Sequence, residues 1–167
     1  MNYFELIKSR YSVRSYSSKP VEEDKLQKIL EAAVLAPTAA NRQAFKLVVL
    51  RTNGREEELK KIYGRDWFVK APVIIGVYSV PQKNWVRSDG KNYSDVDASI
   101  VMDHIILAAT SLGLGTCWIG AFDPKAAKEL KGLECGLEPV AFTPVGYAES
   151  QEHNKVRRPL EDFVMYL

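Results

Sequence analysis

Two arginines and a serine near the N-terminus have the residue types and the spacing of an anion-binding segment. Arg10, Ser12 and Arg14 alternate with other residues over five positions. A guanidinium makes strong, charge-assisted hydrogen bonds to phosphate, and a hydroxyl between two arginines adds another donor. Basic turns are common on protein surfaces, so this segment alone is more typical of a solvated loop.

A second polar segment leaves a predicted helix and enters a predicted strand. It contains Pro37, Thr38, Asn41 and Gln43, whose hydroxyl and two amides suit a flat polar ligand. Asparagine and threonine are also ordinary turn residues, and the residues alone favour a plain connecting loop.

A third segment, 112–122, is rich in glycine and contains Trp118, Ile119 and Gly120. Glycine lets a backbone approach a ligand or a neighbouring element closely, so the segment fits either a binding loop or tight packing of a helix on a strand. A dinucleotide-binding loop is excluded, because its third glycine would fall at Trp118 and because the segment follows a helix instead of a strand.

Metal and nucleophile chemistry have little support in the sequence. The two histidines, His104 and His153, lie far apart, and a metal site needs several ligands. Cys117 has no evident base beside it, so a small buried strand residue is the favoured interpretation.

Helical and extended patterns alternate irregularly along the chain that must position these segments. Apolar spacings of three and four, N-terminal acids and terminating proline or glycine residues predict the helices, and Val- and Ile-rich runs predict the strands. The predicted helices cover 2–8, 22–36, 56–63, 95–112 and 123–130, and the predicted strands cover 45–50, 73–80, 116–119 and 140–146. Without a regular β-α-β alternation, an α+β domain is favoured over a doubly wound sheet.

The composition restricts the class of protein. A chain of 167 residues with 46% hydrophobic residues predicts one domain over 1–167, and a net charge of +2 gives no reason to expect nucleic acid as a partner. Two cysteines are too few for a disulfide scaffold, and no apolar run has the length of a signal peptide core or a membrane span. We therefore expect a cytoplasmic protein with no membrane partner. The apolar end, 163–167, predicts packing against another surface, such as a second subunit.

In their order and separation, these segments resemble the FMN-dependent nitroreductase family. A fourth matching segment is the basic run 155–160 near the C-terminus. The resemblance extends over residues 3–163, nearly the whole chain. It implies an α+β fold with a mixed, mainly antiparallel central sheet flanked by helices, in a homodimer whose termini are exchanged.

The resemblance implies FMN, bound without a covalent bond, as the cofactor. Arg10 and Ser12 would hold its phosphate together with Lys155 and Arg157, and Arg158 is an alternative to Arg157. No catalytic side chain and no metal are implied, because the flavin performs the redox step. The implied cofactor-binding residues are Arg10, Tyr11, Ser12, Arg14, Pro37, Thr38, Asn41, Gln43, Trp118, Ile119, Gly120, Lys155, Arg157 and Arg158.

The resemblance also implies how the flavin ring is held. Arg14 would place a positive charge at the pyrimidine side of the ring, which raises the reduction potential and favours uptake of a hydride. The second segment would line the ring and the ribityl chain, and residues 118–120 would lie along the ring with a backbone N–H near flavin N5.

The implied reaction is a ping-pong reduction. NADH or NADPH reduces the flavin and leaves, and a nitroaromatic, quinone or similar flat acceptor then enters the same pocket. A non-enzymatic flavin-binding or sensing protein is one alternative, and a family member that binds another phosphate compound without FMN is a second. The residues do not choose between NADH and NADPH.

Two departures from the family pattern bear on the site. Ala44-Phe45 stands where the family often has Pro-Trp, which removes a proline restraint from the loop. The stretch 80–95 is shorter than the helical excursion that covers the site in longer members, so we predict an open site. Trp85 and Tyr93 either line its mouth or are exposed loop aromatics.

Overall fold

The computed structural model describes residues 2–150 and 155–167 of the chain. Its helices are α1 (Tyr3–Ser9), α2 (Glu23–Val34), α3 (Glu56–Ile62), α4 (Asp66–Lys70), α5 (Ser94–Ser111) and α6 (Pro124–Lys128). Its strands are β1 (Phe45–Arg51), β2 (Val73–Ser79), β3 (Gly115–Thr116) and β4 (Glu138–Gly146). Short 3₁₀ turns lie at Ala39–Asn41, Pro81–Lys83 and Leu160–Asp162.

The strands form one sheet in the order β1-β2-β4-β3, and each neighbouring pair is antiparallel. β2 is buried along its whole length, as its Val- and Ile-rich sequence predicts. Because successive strand residues point to opposite faces, β2 contributes to two cores. Val73, Ile75 and Val77 pack with residues of α2 and α5. Ile74 and Tyr78 pack with residues of α3, α4 and α6, so helices cover both faces of the sheet.

The longest helix, α5, has 18 residues and is therefore about 27 Å long. The neighbouring residues Val101 and Met102 are both buried, as are Ile105 and Ile106, so more than one side of the helix is covered, as predicted. Gly113 follows the helix with a φ of 76°, a left-handed conformation that suits glycine and ends the helix.

The N-terminal basic segment runs along the outer edge of the sheet. The Val13 N–H donates to the Thr116 carbonyl at 2.8 Å, and Tyr16 forms an antiparallel bridge with Ala148 beyond β4. A Cβ on Gly115 would lie 2.6 Å from Val13 Cγ2, so only glycine allows this close approach. The bridge at β3 is parallel, which makes the pairing mixed although the four strands are antiparallel.

The five predicted helices and four predicted strands are all present, with bounds that agree within two residues except at the third strand, and one further helix was not predicted. The third strand is Gly115–Thr116 instead of 116–119, because beyond it only Ile119 returns to the sheet, in an isolated bridge to Phe142. The last predicted helix ends at Lys128 instead of 130. The prediction missed α4, whose five residues are too few to show a helical period.

Large apolar side chains are exposed at both ends of the chain and on α2. Val34 and Leu35 are exposed at the end of α2, and Tyr3 and Phe4 are exposed on α1. The apolar end that the sequence singled out, 163–167, is exposed throughout. Within residues 2–150 and 155–167, no helix combines the length and the apolar character needed to cross a membrane.

Candidate functional site

Residues from the two ends of the chain are neighbours, because Arg10 and Arg157 act electrostatically on Lys155, and Arg10, Ser12 and Arg14 act on Cys117. We call these residues, Arg10, Ser12, Arg14, Lys155 and Arg157, the basic cluster. Partial burial lowers the pKa of Lys155, and the charges of Arg10 and Arg157 lower it further. The structure therefore places the C-terminal basic run beside the first segment, which sequence spacing alone does not show.

Cys117 joins the third segment to the same cluster. Burial raises the pKa of the Cys117 thiol, whereas the charge of Arg14, a hydrogen bond with the Ser12 side chain and the charge of Arg10 oppose that rise. Cys117 is buried, and its backbone N–H donates to Thr143 Oγ1 at 3.2 Å. A buried thiol with a raised pKa is a poor nucleophile, which supports the interpretation of Cys117 as a packing residue.

Lys155 is anchored to the end of α1. Its Nζ donates to the carbonyls of Ile7 at 2.7 Å, Lys8 at 3.2 Å and Arg10 at 3.0 Å. A cation at a helix C-terminus satisfies carbonyls that have no partner inside the helix and interacts favourably with the helix dipole. An ammonium has three N–H donors, which matches the three carbonyls that accept from Lys155. These hydrogen bonds fix the C-terminal run in place, and the ammonium contributes its charge to the cluster.

The contacts distinguish the two adjacent arginines of the C-terminal run. Arg157 acts electrostatically on Lys155 within the cluster. The Arg158 guanidinium instead lies over the Phe163 ring, with 4.3 Å between its Cζ and the ring centroid, which is a cation–π contact. These contacts favour Arg157 over Arg158 as the arginine of the anion site.

The arginines of the cluster are not paired with described carboxylates. Within the described ranges, neither Arg10, Arg14 nor Arg157 forms an ion pair with a carboxylate. Guanidinium groups and a hydroxyl that are not engaged in an ion pair form a donor set that suits a phosphate. The chemistry of the cluster therefore fits a phosphorylated ligand.

A pocket of about 460 Å³ lies next to the cluster and shares Arg14 with it. The other lining residues are Tyr63, Arg65, Asp66 and Trp67. The two aromatic rings meet edge to face, with 5.7 Å between their centroids. These residues were not predicted from the sequence, because they belong to no motif and approach Arg14 only in the folded chain. The one available signal was the pair of aromatic residues, Tyr63 and Trp67, on either side of residues 64–66.

The third segment presents an open stretch of backbone at Gly120. A Cβ at this position would approach Trp118 Nε1 at 3.9 Å, an ordinary contact, so the protein itself leaves room there. Trp118 is 41% exposed, whereas Ile119 is buried and pairs with Phe142. Of the three predicted residues, Trp118 and Gly120 are thus accessible to a ligand, and Ile119 fixes the segment to β4.

The second segment adopts a strained backbone. Ala40, Asn41 and Gln43 have φ values of 50°, 52° and 48°, in the left-handed region. Asparagine tolerates this region, but the left-handed conformation costs about 1–2 kcal/mol of free energy at each alanine or glutamine. Thr38 Oγ1 accepts a hydrogen bond from the Gln43 N–H at 3.0 Å, and Gln43 Nε2 donates to Asn41 Oδ1 at 2.9 Å. Strain of this kind is concentrated at functional sites, which supports the hypothesis that the segment is more than a connecting loop.

One copy of the chain does not bring the second segment to the basic cluster. The Ala39 N–H donates to Asp97 in the first turn of α5, whereas β3 and the cluster follow the other end of that helix. The part of α5 from Asp97 to Ser111 is about 20 Å long. The two regions also lie at opposite edges of the sheet, next to β1 and β3. The structure thus unites the first, third and fourth segments and leaves the second apart.

The short stretch before α5 forms a small hairpin beside the second segment. Val86 and Asn92 form an antiparallel bridge, and Trp85 and Tyr93 meet edge to face with 4.9 Å between their centroids. The Tyr93 carbonyl accepts a hydrogen bond from the Asp97 N–H at 2.9 Å. The two aromatics are half-buried against each other, so they are not freely exposed loop residues.

His104 is satisfied within its own helix, since its Nδ1 lies 3.0 Å from the Ile100 carbonyl oxygen. His153 lies outside the described residues. In the described part of the chain, no three His, Cys, Asp or Glu side chains are grouped as a metal ion would require.

Comparison with known proteins identifies the family. The model of the nitroreductase family matches residues 7–65 and 55–147, which is most of the chain. The chain belongs to the nitroreductase family. The expected α+β nitroreductase fold, with a mainly antiparallel sheet between helices, is thereby confirmed.

Relatives of this nitroreductase-family protein match it over nearly its whole length. A nitroreductase family protein of Clostridium difficile is 41% identical, with a TM-score of 0.86 over 99% of this chain and 98% of that one. A protein of Desulfovibrio desulfuricans, solved in complex with FMN, is 25% identical, with a TM-score of 0.86 over 100% and 98% of the two chains. The FMN reductase [NAD(P)H] of Bacillus subtilis is 29% identical over 94% of this chain and 71% of its own length.

Proposed function

We propose that this nitroreductase-family protein is an NAD(P)H-dependent oxidoreductase that binds FMN without a covalent bond. The observation that carries the proposal is the basic cluster, in which both ends of the chain supply positive charge and none of the arginines forms an ion pair with a described carboxylate. The FMN-bound relative and the FMN reductase relative support the same ligand.

In this proposal the residues of the basic cluster have different roles in binding FMN. Arg10, Ser12 and Arg157 donate to the phosphate, since charge-assisted hydrogen bonds to a phosphate are strong. Lys155 adds charge and holds the C-terminal run against α1. Arg158 stays on the Phe163 ring.

Arg14 connects phosphate binding to the redox chemistry. It belongs to the cluster and also lines the pocket of about 460 Å³ beside it. When bound, FMN supplies the redox step, taking reducing equivalents from NADH or NADPH and giving them to a flat acceptor such as a nitroaromatic or a quinone. The fixed positive charge of Arg14 favours the reduced, more negative ligand. Tyr11, Trp118 and Gly120 are proposed as further neighbours of the flavin.

We propose that the active form is a homodimer. Pro37, Thr38, Asn41 and Gln43 lie too far from the basic cluster of their own copy to complete its site, so a second copy would supply them. The exposed apolar residues of α2 and of the end 163–167 provide surface for such a contact. In this arrangement the whole chain, 1–167, is one domain that exchanges its termini with its partner.

The test is a visible absorption spectrum of the purified protein, recorded without oxygen before and after addition of NADH or NADPH. A flavin spectrum that bleaches, and returns when an acceptor is added after the nucleotide is removed, supports the oxidoreductase and its ping-pong order. A flavin spectrum that neither nucleotide bleaches indicates a flavin-binding or sensing protein instead. A protein that takes up no FMN would overturn the proposal.

A further inference from the structure

A buried carboxylate lies against the second segment. Asp97, in the first turn of α5, is 3% exposed. Its Oδ1 accepts a hydrogen bond from the Ala39 N–H at 2.9 Å. Its Oδ2 is also buried and has no donor among the described residues. Burial of a carboxylate is unfavourable unless hydrogen bonds replace the lost water. A buried acid with one oxygen that accepts no hydrogen bond is therefore not explained by core packing alone.

The bond to Asp97 is placed where the backbone becomes left-handed. Ala39 comes directly before Ala40 and Asn41, which both have positive φ values. The other hydrogen bonds of residues 38–43, such as those from Gln43 to Thr38 and from Gln43 to Asn41, are local and move with the segment. Among the described hydrogen bonds, the one to Asp97 is what ties residues 38–43 to another element.

We propose that Asp97 is a positioning residue that holds the second segment in its left-handed conformation so that the segment can contact FMN. The inference rests on the proposed function, because it gives the held segment its role in flavin binding. A rigid long helix is a suitable anchor: α5 is buried on several sides, and its N-terminal dipole favours a negative charge in the first turn. The strained conformation of the segment persists because its surroundings impose it.

The experiment compares amide hydrogen exchange of the segment in four forms of the FMN-free protein. Asp97→Leu places two methyl groups where the two carboxylate oxygens lie and so removes the acceptor, and Asp97→Asn keeps an acceptor oxygen without the charge. Asp103→Ala changes an exposed acid on the same helix and is the matched control. We expect exchange at residues 38–43 to be at least about tenfold faster in Asp97→Leu, within about threefold of wild type in Asp97→Asn, and unchanged in Asp103→Ala.

The second measurement is a titration of the same proteins with FMN. Asp97→Leu should bind FMN at least about tenfold more weakly than wild type, and Asp97→Asn and Asp103→Ala should bind it nearly as well. Unchanged exchange in a folded Asp97→Leu would overturn the positioning role, as would equal loosening in Asp97→Asn. Faster exchange with unchanged FMN affinity would overturn the link to the cofactor. If Asp97→Leu does not fold, the decision rests on Asp97→Asn. Fast exchange in Asp97→Asn would overturn the inference, whereas wild-type exchange and FMN affinity would support it.

The two measurements separate this inference from the proposed function. Hydrogen exchange is measured without FMN, so it tests how Asp97 holds the segment even for a protein that binds no flavin. If the wild-type protein takes up no FMN, the proposed function fails, and the exchange results still decide whether Asp97 holds the segment.

Discussion

Arginines that form no ion pair with a described carboxylate distinguish the proposed site at the scale of single residues. Arg10 and Arg157 come from opposite ends of the chain, and both act on Lys155. An ion pair with a carboxylate would have satisfied these groups without a ligand. Their arrangement is therefore better explained by an anion that binds from solution.

The two arginines of the C-terminal run provide a matched test. Arg157→Ala should weaken FMN binding by about 1.5–3 kcal/mol, the range for hydrogen bonds to charged groups, which is roughly a 10- to 150-fold rise in Kd. Arg158→Ala should change it much less, because the Arg158 guanidinium lies on Phe163. Equilibrium titration of the FMN-free proteins, followed by flavin fluorescence, measures both constants. A larger loss in Arg158→Ala than in Arg157→Ala would contradict the assignment.

The sequence predicted the residues that carry a recognisable type and spacing. Arg10, Ser12 and Arg14 belong to such a pattern, and their meeting with the C-terminal run follows only from the family resemblance. Asp97 and Trp67 have no pattern, because their importance comes from burial and from neighbours distant in sequence. Left-handed φ values at alanine and glutamine are likewise invisible in a sequence, since neither residue favours them.

At the scale of elements, the contact between the N-terminal segment and β3 positions Arg10, Ser12 and Arg14 of the basic cluster. Val13 fills the space in which a side chain on Gly115 would lie. Gly115→Ala should therefore lower the free energy of unfolding by about 1–3 kcal/mol, the usual effect of overpacking. Gly64→Ala is the control, because its Cβ would meet only a carbonyl oxygen at 3.8 Å. Chemical denaturation measures both, and equal stability of the two variants would contradict the packing account.

A hydrogen-bond network joins the start of α2 to Tyr147, just beyond β4. The Tyr147 hydroxyl donates to Glu22 Oε2 at 2.7 Å and accepts from Lys25 Nζ at 2.6 Å. The hydrogen bond from Tyr147 is the largest of several contributions that lower the pKa of Glu22 to about 2. Because the folded pKa lies below the ordinary value of 4.5, the stabilisation is present above that value and is lost as the pH falls from about 4.5 towards 2.

The variant Tyr147→Phe tests the contribution of this hydrogen-bond network to stability. The variant keeps the ring under Lys19, whose Nζ lies 3.9 Å from the ring centroid, but removes the hydrogen bond to Glu22. We expect wild type to have a higher Tm than Tyr147→Phe at pH 7, and the difference to shrink by pH 2.5. Other carboxylates with lowered pKa values, such as Asp66, titrate in both proteins and do not affect the difference. A difference in Tm that is the same at both pH values would contradict the role of Glu22.

Long periodic elements were predictable, whereas the shortest ones were predictable only where a capping signal marked them, as Asp123-Pro124 does for the five residues of α6. α2 and α5 have enough turns for apolar spacing, acids and terminating residues to agree, and their bounds were found within two residues. α4 and β3 have five and two residues. Elements of that length form because of the surfaces they contact, which the local sequence does not specify.

At the scale of the whole molecule, the second segment and the basic cluster of one copy lie apart, and the proposed homodimer would combine them in one site. Removing residues 163–167 should abolish dimerisation and lower FMN affinity, because this exposed apolar end is the proposed contact with the second copy. Light scattering coupled to gel filtration measures the mass. Val86→Ser, at an exposed apolar residue on the hairpin, is the control and should remain dimeric. A wild-type monomer that binds FMN tightly would contradict the two-copy site.

The central claim is that the two ends of the chain form one phosphate-binding site, and a comparison of FMN with riboflavin tests it most directly. The two ligands differ only in the phosphate, so titration of the FMN-free protein with each isolates the contribution of the basic cluster. Two charge-assisted contacts predict that FMN binds at least about 100-fold more tightly than riboflavin. Arg10→Ala should remove much of that preference and leave riboflavin binding unchanged. Equal affinity of the wild-type protein for the two ligands would contradict the account.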